Sequence, residues 1–92
     1  MTGRVDVIGA GAWGTALANV AAAAGNDVRI WAREADTVAS INEAHENRAF
    51  LPGIALDPAI VATDDLTALG DADMLLVVAP AQHVRATLAA LP

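Results

Sequence analysis

The residues of this 92-residue chain best placed to do chemistry are three glycines, Gly9, Gly11 and Gly14, spaced as Gly-x-Gly-x-x-Gly within IGAGAWGTALA. The chemistry they suit is anion binding by backbone. In a turn that holds a dinucleotide pyrophosphate, the first glycine lets the chain bend sharply at a strand end. The second lets backbone come close to the phosphates, and the third lets the following helix pack tightly on the strand. N–H groups of the new helix have no intrahelical acceptor and face the anion. A strand-to-helix turn that uses glycine only for its backbone range is the plainer alternative. The apolar segment over 4–8 before the run and the Ala-rich stretch after it favour the dinucleotide reading.

A second chemical position lies about 20 residues on, where WARE follows another apolar segment. An acid there hydrogen-bonds the ribose 2′-OH of NAD, whereas an arginine accommodates the 2′-phosphate of NADP. Arg33 directly follows Trp31-Ala32 and can pair bidentately with phosphate, so NADP is favoured over NAD. Glu34 is the competing acid, one step further into the loop, and an ordinary solvated charge pair is the bland reading of both. Trp13, an indole just inside the helix, could cover the cofactor cleft but reads at least as well as a core or rim residue, and its side chain is assigned no chemistry. His45 and His83 lack further ligands at metal-binding spacing. Asp64, Asp65, Asp71 and Asp73 read as caps and loop charges.

These groups need elements that bring them together. Val5, Val7 and Ile8 predict a short buried strand, and strong helix formers over 12–24 predict a helix ended by Gly25. A second strand is expected over 27–31. A second helix follows from about 36 to 45, with Asp36 as N-cap and Val38, Ile41 and His45 on one stripe. Residues 47–58 read as an irregular loop, with Phe50 and Leu51 either lining a cleft or stapling a packed turn. A short strand over 60–62, a brief helix capped by Asp64 or Asp65 and running to Leu69, an apolar strand over 74–79 and a helix over 81–91 complete the pattern. Strands alternating with helices imply right-handed crossovers and an α/β, Rossmann-type parallel sheet with helices on both faces. Strand one then lies centrally between strand two and the 74–79 strand, and ligand binds over the strands' carboxyl ends. The glycine turn, residues 31–34 and residues 79–83 meet there.

Composition narrows the partners. Eleven acids against five basic residues give a net charge of −6, which argues against nucleic acid and anionic membranes. The chain has no cysteine, which excludes disulfides and thiolate sites. Its 55% hydrophobic content suits strands buried on both faces. Asp6 and the glycines interrupt the apolar N-terminus, which therefore reads neither as a secretory leader nor as a membrane segment, and a soluble cytoplasmic protein is expected.

GAGAWGTALA, WARE, the 73–80 strand with its Pro-x-Gln continuation and above all HENRAFLPG over 45–53 resemble the bacterial type of NAD(P)-dependent glycerol-3-phosphate dehydrogenase, along the whole chain. The resemblance implies reversible reduction of dihydroxyacetone phosphate to sn-glycerol 3-phosphate for phospholipid synthesis. It implies that Gly9, Ala10, Gly11, Ala12, Trp13 and Gly14 hold the pyrophosphate and that Arg33 contacts the adenosine end. Ala12 stands where relatives often have Ser, so a hydroxyl contact is lost while backbone donation survives. His83 stands where some relatives carry an aromatic.

In that family the proton donor is a lysine and a helical second domain holds the substrate. All five basic residues here are arginines. The chain is therefore expected to be the first part of a cofactor domain, without turnover of its own, from a full-length protein in which a homodimer is expected. Its 74–79 strand would be an apolar edge if nothing paired with it. Two alternatives share the glycine turn. One is a β-hydroxyacid or ketopantoate-type reductase, against which HENRAFLPG speaks. The other is a regulatory module that senses a dinucleotide without hydride transfer.

Overall fold

Val5, Val7, Val28, Ile30 and Ala62 occupy alternate positions of three short segments, and pleating puts them on one face. In the computed structural model, which describes residues 3–69 and 71–78, these segments are strands β1 (Arg4–Ile8), β2 (Asp27–Trp31) and β3 (Val61–Thr63). A fourth strand, β4 (Met74–Val77), completes a parallel sheet of order β3-β2-β1-β4. β1 is central, as expected, with Ile8 opposite Trp31 on one side and Val77 on the other. The helix expected over 81–91, together with Pro80, His83 and the rest of the 79–83 strand end, lies outside the described residues.

Helix α1 (Ala12–Ala23) follows the glycines. Its sheet-facing side is Gly14, Thr15, Ala18 and Ala22, all small, so the helix lies close to the sheet. Its end is a Schellman motif, in which the Asn26 N–H donates to Ala21 and the Gly25 N–H to Ala22. Helix α2 (Ala35–Ala44) begins one residue before the expected start, and its N-cap is Glu34, not Asp36. The Glu34 carbonyl accepts from Thr37 and Val38, which places Asp36 in the first turn, where an acid still favours the helix dipole. His45 is not part of the helical stripe. It is the C-cap, in the left-handed region at φ 53°, while Ile41 and Thr37 are the buried residues. Ala18, Ala22 and Ile41 join the five strand residues in one core with Leu56 and Ile60.

β3 is an edge strand, and the carboxamide of Asn42 covers part of its edge. Asn42 donates to the Ala62 carbonyl (2.9 Å) and accepts from the Ala62 N–H (2.8 Å). The expected brief helix is a 3-10 turn, Leu66–Ala68, and Asp65 is its cap, accepting from the Thr67 N–H and hydroxyl. β4 is shorter than expected, and Met74 and Leu75 on it are exposed.

The other sheet face carries a charge network. Asp6, fully buried on β1, stands opposite Arg29 on β2 and takes a two-pronged guanidinium contact at 3.1 and 3.0 Å. Arg29 also donates to Asp71 (2.7 Å) and to the Ala68 carbonyl, and so ties both strands to the segment that leads into β4. Arg4 pairs with Asp71 at 3.2 Å.

The hydrogen bond from Arg29 holds the Asp71 carboxyl below the ordinary value of 3.8, with Arg4 adding attraction. Because the folded state then holds the proton less tightly than the unfolded chain, Asp71 stabilises above the unfolded value and loses that contribution as pH falls through the folded one. Urea midpoints measured from pH 7 to pH 2.5 are expected to fall on acidification. An Asp71→Asn variant should start lower at pH 7 and fall less steeply below pH 4. An unchanged slope would assign the acid sensitivity to other carboxylates.

Candidate functional site

The turn between β1 and α1 is built by two glycines with different tasks. Gly9 has φ 112°, a conformation that side-chain-bearing residues rarely adopt, and its N–H donates to the Trp31 carbonyl at 3.0 Å. A Cβ added to Gly14 would overlap the Gly9 carbonyl oxygen and stand 3.0 Å from the Gly9 carbonyl carbon. The helix can therefore start this close to the strand only if that position is glycine. Gly11 is the converse case. Its φ of −71° suits any residue, and nothing lies within 4 Å of where its Cβ would be. Open space, not strain, distinguishes Gly11.

The amide end of α1 begins at the same residue and has no local competition. Gly11 is the N-cap, no side chain caps the helix, and its first turn contains no acid. The first intrahelical bond is from Thr15 N–H to Gly11 O at 3.0 Å, so the N–H groups of Ala12, Trp13 and Gly14 precede it. This donor set, at the positive end of a helix dipole, fits a phosphate group. Trp13 is 77% exposed and is not a core residue.

Arg33 and Glu34 follow the end of β2, adjacent to the turn through the Gly9–Trp31 hydrogen bond, and both side chains are exposed. Arg33 forms no ion pair with any described residue, whereas Arg4, Arg29 and Arg48 do. Trp31 is fixed by its indole N–H on the Asp64 carbonyl at 3.0 Å.

The 45–53 segment packs behind the turn through a residue that the sequence did not single out. Asn47 is fully buried and donates to the Ala10 carbonyl and the Thr15 hydroxyl. Phe50 is instead 45% exposed, so Asn47 anchors the segment and Phe50 does not staple it. The motif's unusual Asn was the available signal, but its partners lie 37 and 32 positions away.

The family model described as NAD-dependent glycerol-3-phosphate dehydrogenase N-terminus matches residues 4–92. The chain belongs to this family. It is 63% identical over 87 residues to a glycerol-3-phosphate dehydrogenase (NAD(P)+) of Caulobacter vibrioides, covering 95% of this chain and 26% of that protein. A protein of the same name from Parvibaculum lavamentivorans is 59% identical over 85 residues, covering 92% and 26%. Among solved structures, glycerol-3-phosphate dehydrogenase of Plasmodium falciparum superposes with TM-score 0.86 at 34% identity, covering 94% of this chain and 27% of that one. That of Coxiella burnetii superposes with TM-score 0.82 at 30% identity, covering 99% and 30%. The chain thus spans about a quarter of the length of the relatives it matches. No helix among the described residues is long and apolar enough to cross a membrane.

The two glycine roles make opposite predictions for this glycerol-3-phosphate dehydrogenase family turn. Gly14→Ala should lower the unfolding free energy by about 3 kcal/mol or more, because backbone must move to admit the methyl group. Gly11→Ala should stay within about 1 kcal/mol of the unaltered protein. Chemical denaturation without ligand reads both. Equal losses would mean that Gly11 is also a packing position.

Proposed function

We propose that the chain is the cofactor-binding portion of an NAD(P)-dependent glycerol-3-phosphate dehydrogenase, in which the turn of Gly9, Ala10, Gly11, Ala12, Trp13 and Gly14 receives the dinucleotide pyrophosphate. The observation that carries this reading is the pairing of a Gly14 that cannot bear a Cβ with a Gly11 whose Cβ would enter open space beside uncapped amides. Family membership over residues 4–92 narrows the chemistry from any dinucleotide protein to this dehydrogenase.

When bound, the dinucleotide supplies a hydride, so that dihydroxyacetone phosphate, NAD(P)H and a proton give sn-glycerol 3-phosphate and NAD(P)+. The chain's own contribution is to bind and orient. Backbone N–H groups at the start of α1 neutralise phosphate charge. Arg33 meets the adenosine end, where its guanidinium favours the 2′-phosphate of NADP over the ribose hydroxyl of NAD. The freedom of Arg33 from ion pairs with described residues supports that role. On the family resemblance, in which a lysine donates the proton and a helical second domain holds the substrate, both tasks are assigned to residues outside 1–92, a sequence that contains no lysine. A cytoplasmic location and a homodimer belong to the same proposal. Both rest on the family to which residues 4–92 belong.

Titration of the full-length protein with both reduced cofactors tests the assignment of Arg33. Arg33→Ala should raise the Kd for NADPH roughly tenfold and that for NADH less. An unchanged NADPH affinity with weakened NADH would reverse the assignment. Separately, a polypeptide limited to residues 1–92 should show no oxidation of NADPH above background with dihydroxyacetone phosphate. Enzyme-like rates from it would refute the placement of the catalytic groups elsewhere.

A further inference from the structure

The Ala10 carbonyl lies inside the proposed pyrophosphate turn, and two side chains donate to it. The Asn47 carboxamide reaches it at 2.7 Å and the Thr15 hydroxyl at 3.3 Å. The second N–H of Asn47 donates to the Thr15 hydroxyl at 2.8 Å, which closes a ring of three groups around one peptide oxygen. The carbonyl oxygen of the Asn47 side chain accepts from the Phe50 N–H at 3.2 Å, so both ends of the carboxamide are used. The Asn47 backbone carbonyl also accepts from the Leu51 N–H at 2.8 Å, which fixes the residue's own main chain. Asn47 is 0% exposed, so solvent cannot substitute for any of these bonds.

The direction of a peptide carbonyl decides the direction of the next N–H, because in a planar trans peptide the two point to opposite sides. Holding Ala10 C=O toward Asn47 therefore turns the Gly11 N–H the other way. Gly11 is also the residue whose Cβ position is open. If the same peptide flipped, an acceptor oxygen would replace a donor there and would repel an anion. A flip of this peptide turns ψ of Ala10 and φ of Gly11, and at Gly11 the absence of a side chain leaves little to resist it. The turn thus needs an external hold, and the hold comes from the 45–53 segment.

We propose that Asn47 is the positioning residue of the glycine turn, fixing the Ala10–Gly11 peptide so that the Gly11 N–H is presented to the dinucleotide phosphates. The inference rests on the dinucleotide reading above. It gives the Asn of HENRAFLPG a specific task at a distance of 37 residues. Asparagine suits the task because one short planar group donates twice and accepts once. Aspartate keeps the shape but has no proton to donate when ionised.

The test uses the full-length protein, with Asn47→Asp, Asn47→Ala and, as a milder change, Thr15→Val, which leaves the Asn47 to Ala10 bond in place. Kd values for NADH and NADPH, the KM for the ketone at saturating cofactor, and amide hydrogen exchange in the unliganded protein are measured. In both Asn47 variants the dinucleotide Kd should rise roughly tenfold or more. Exchange at residues 10–14 should quicken while that of β2 stays unchanged, and the KM for the ketone should move less than twofold. Thr15→Val should show a smaller rise in Kd. Folded Asn47 variants with dinucleotide Kd within twofold of the unaltered protein would overturn the proposal and leave Asn47 a purely structural residue.

Should the Asn47 variants not fold, nitrogen-15 spectra of the unaltered protein decide. Addition of NADPH should shift the Gly11 amide and the Asn47 side-chain amide together. A Gly11 shift without an Asn47 shift would overturn the inference and leave the dinucleotide reading standing. No binding of either dinucleotide by the unaltered protein would overturn both.

Discussion

The close approach of α1 to the end of β1 is the constraint on which the rest of this structure depends. It is a backbone contact, with Gly14 lying against the Gly9 carbonyl in a space that excludes even a methyl group. Its effects run along the helix. A helix that starts so near the sheet can present only small residues to it, and Thr15, Ala18 and Ala22 continue the buried side. The large apolar residues Trp13, Leu17 and Val20 are consequently displaced to the outer side, where they are exposed. α1 thus inverts the usual arrangement, with small residues inside and bulky ones outside. Its high apolar content therefore says little about which side is buried.

A second constraint comes from the 45–60 segment, which has neither a helix nor a regular strand to satisfy its backbone. Polar backbone groups near a core must still find partners. Here asparagine carboxamides supply them across elements. Asn19 on α1 accepts from the Asp57 N–H at 2.9 Å and donates to the Ala55 carbonyl. Asn42 serves Ala62, and Asn47 serves Ala10 and Phe50. Each group can donate and accept at once, so it stands in for a missing neighbouring strand. Leu56 and Ile60 then close the core between these polar clamps.

Much of this was legible in the sequence because it is local. The buried strands announced themselves by Val and Ile, and the order of elements led to the parallel sheet with β1 in the centre. The start of α2 was misplaced by one residue because Asp36 is the better capping type. The backbone of Glu34 nevertheless accepts the first helical bonds without any side-chain help. His45 matched the helical spacing yet lies beyond the last turn in the left-handed region. Asp6 was visible only as an interruption of an apolar run. Its meaning depends on Arg29, 23 residues away on a neighbouring strand and in register with it. Asn47 was hidden for the same reason. Periodicity reports what a residue does to its own element, and long-range hydrogen bonds leave no periodic trace.

The two sheet faces divide the electrostatic work, and this bears on how an acidic chain can present an anion site. The chain's net charge is −6, yet no acid occupies the first turn of α1. On the face away from the two helices, Asp6 and Asp71 draw Arg29 and Arg4 into ion pairs. Those cations are thereby committed to holding strands together and are not available to a ligand. Arg48 is engaged with Glu46. Arg33 remains, at the carboxyl end of β2 beside the turn, as the described arginine that forms no ion pair with another described residue. An exposed, unpaired guanidinium gains more from a new phosphate than a paired one, which must first give up its carboxylate. On the proposed reading, the network that secures the sheet also determines which arginine is left to meet the cofactor.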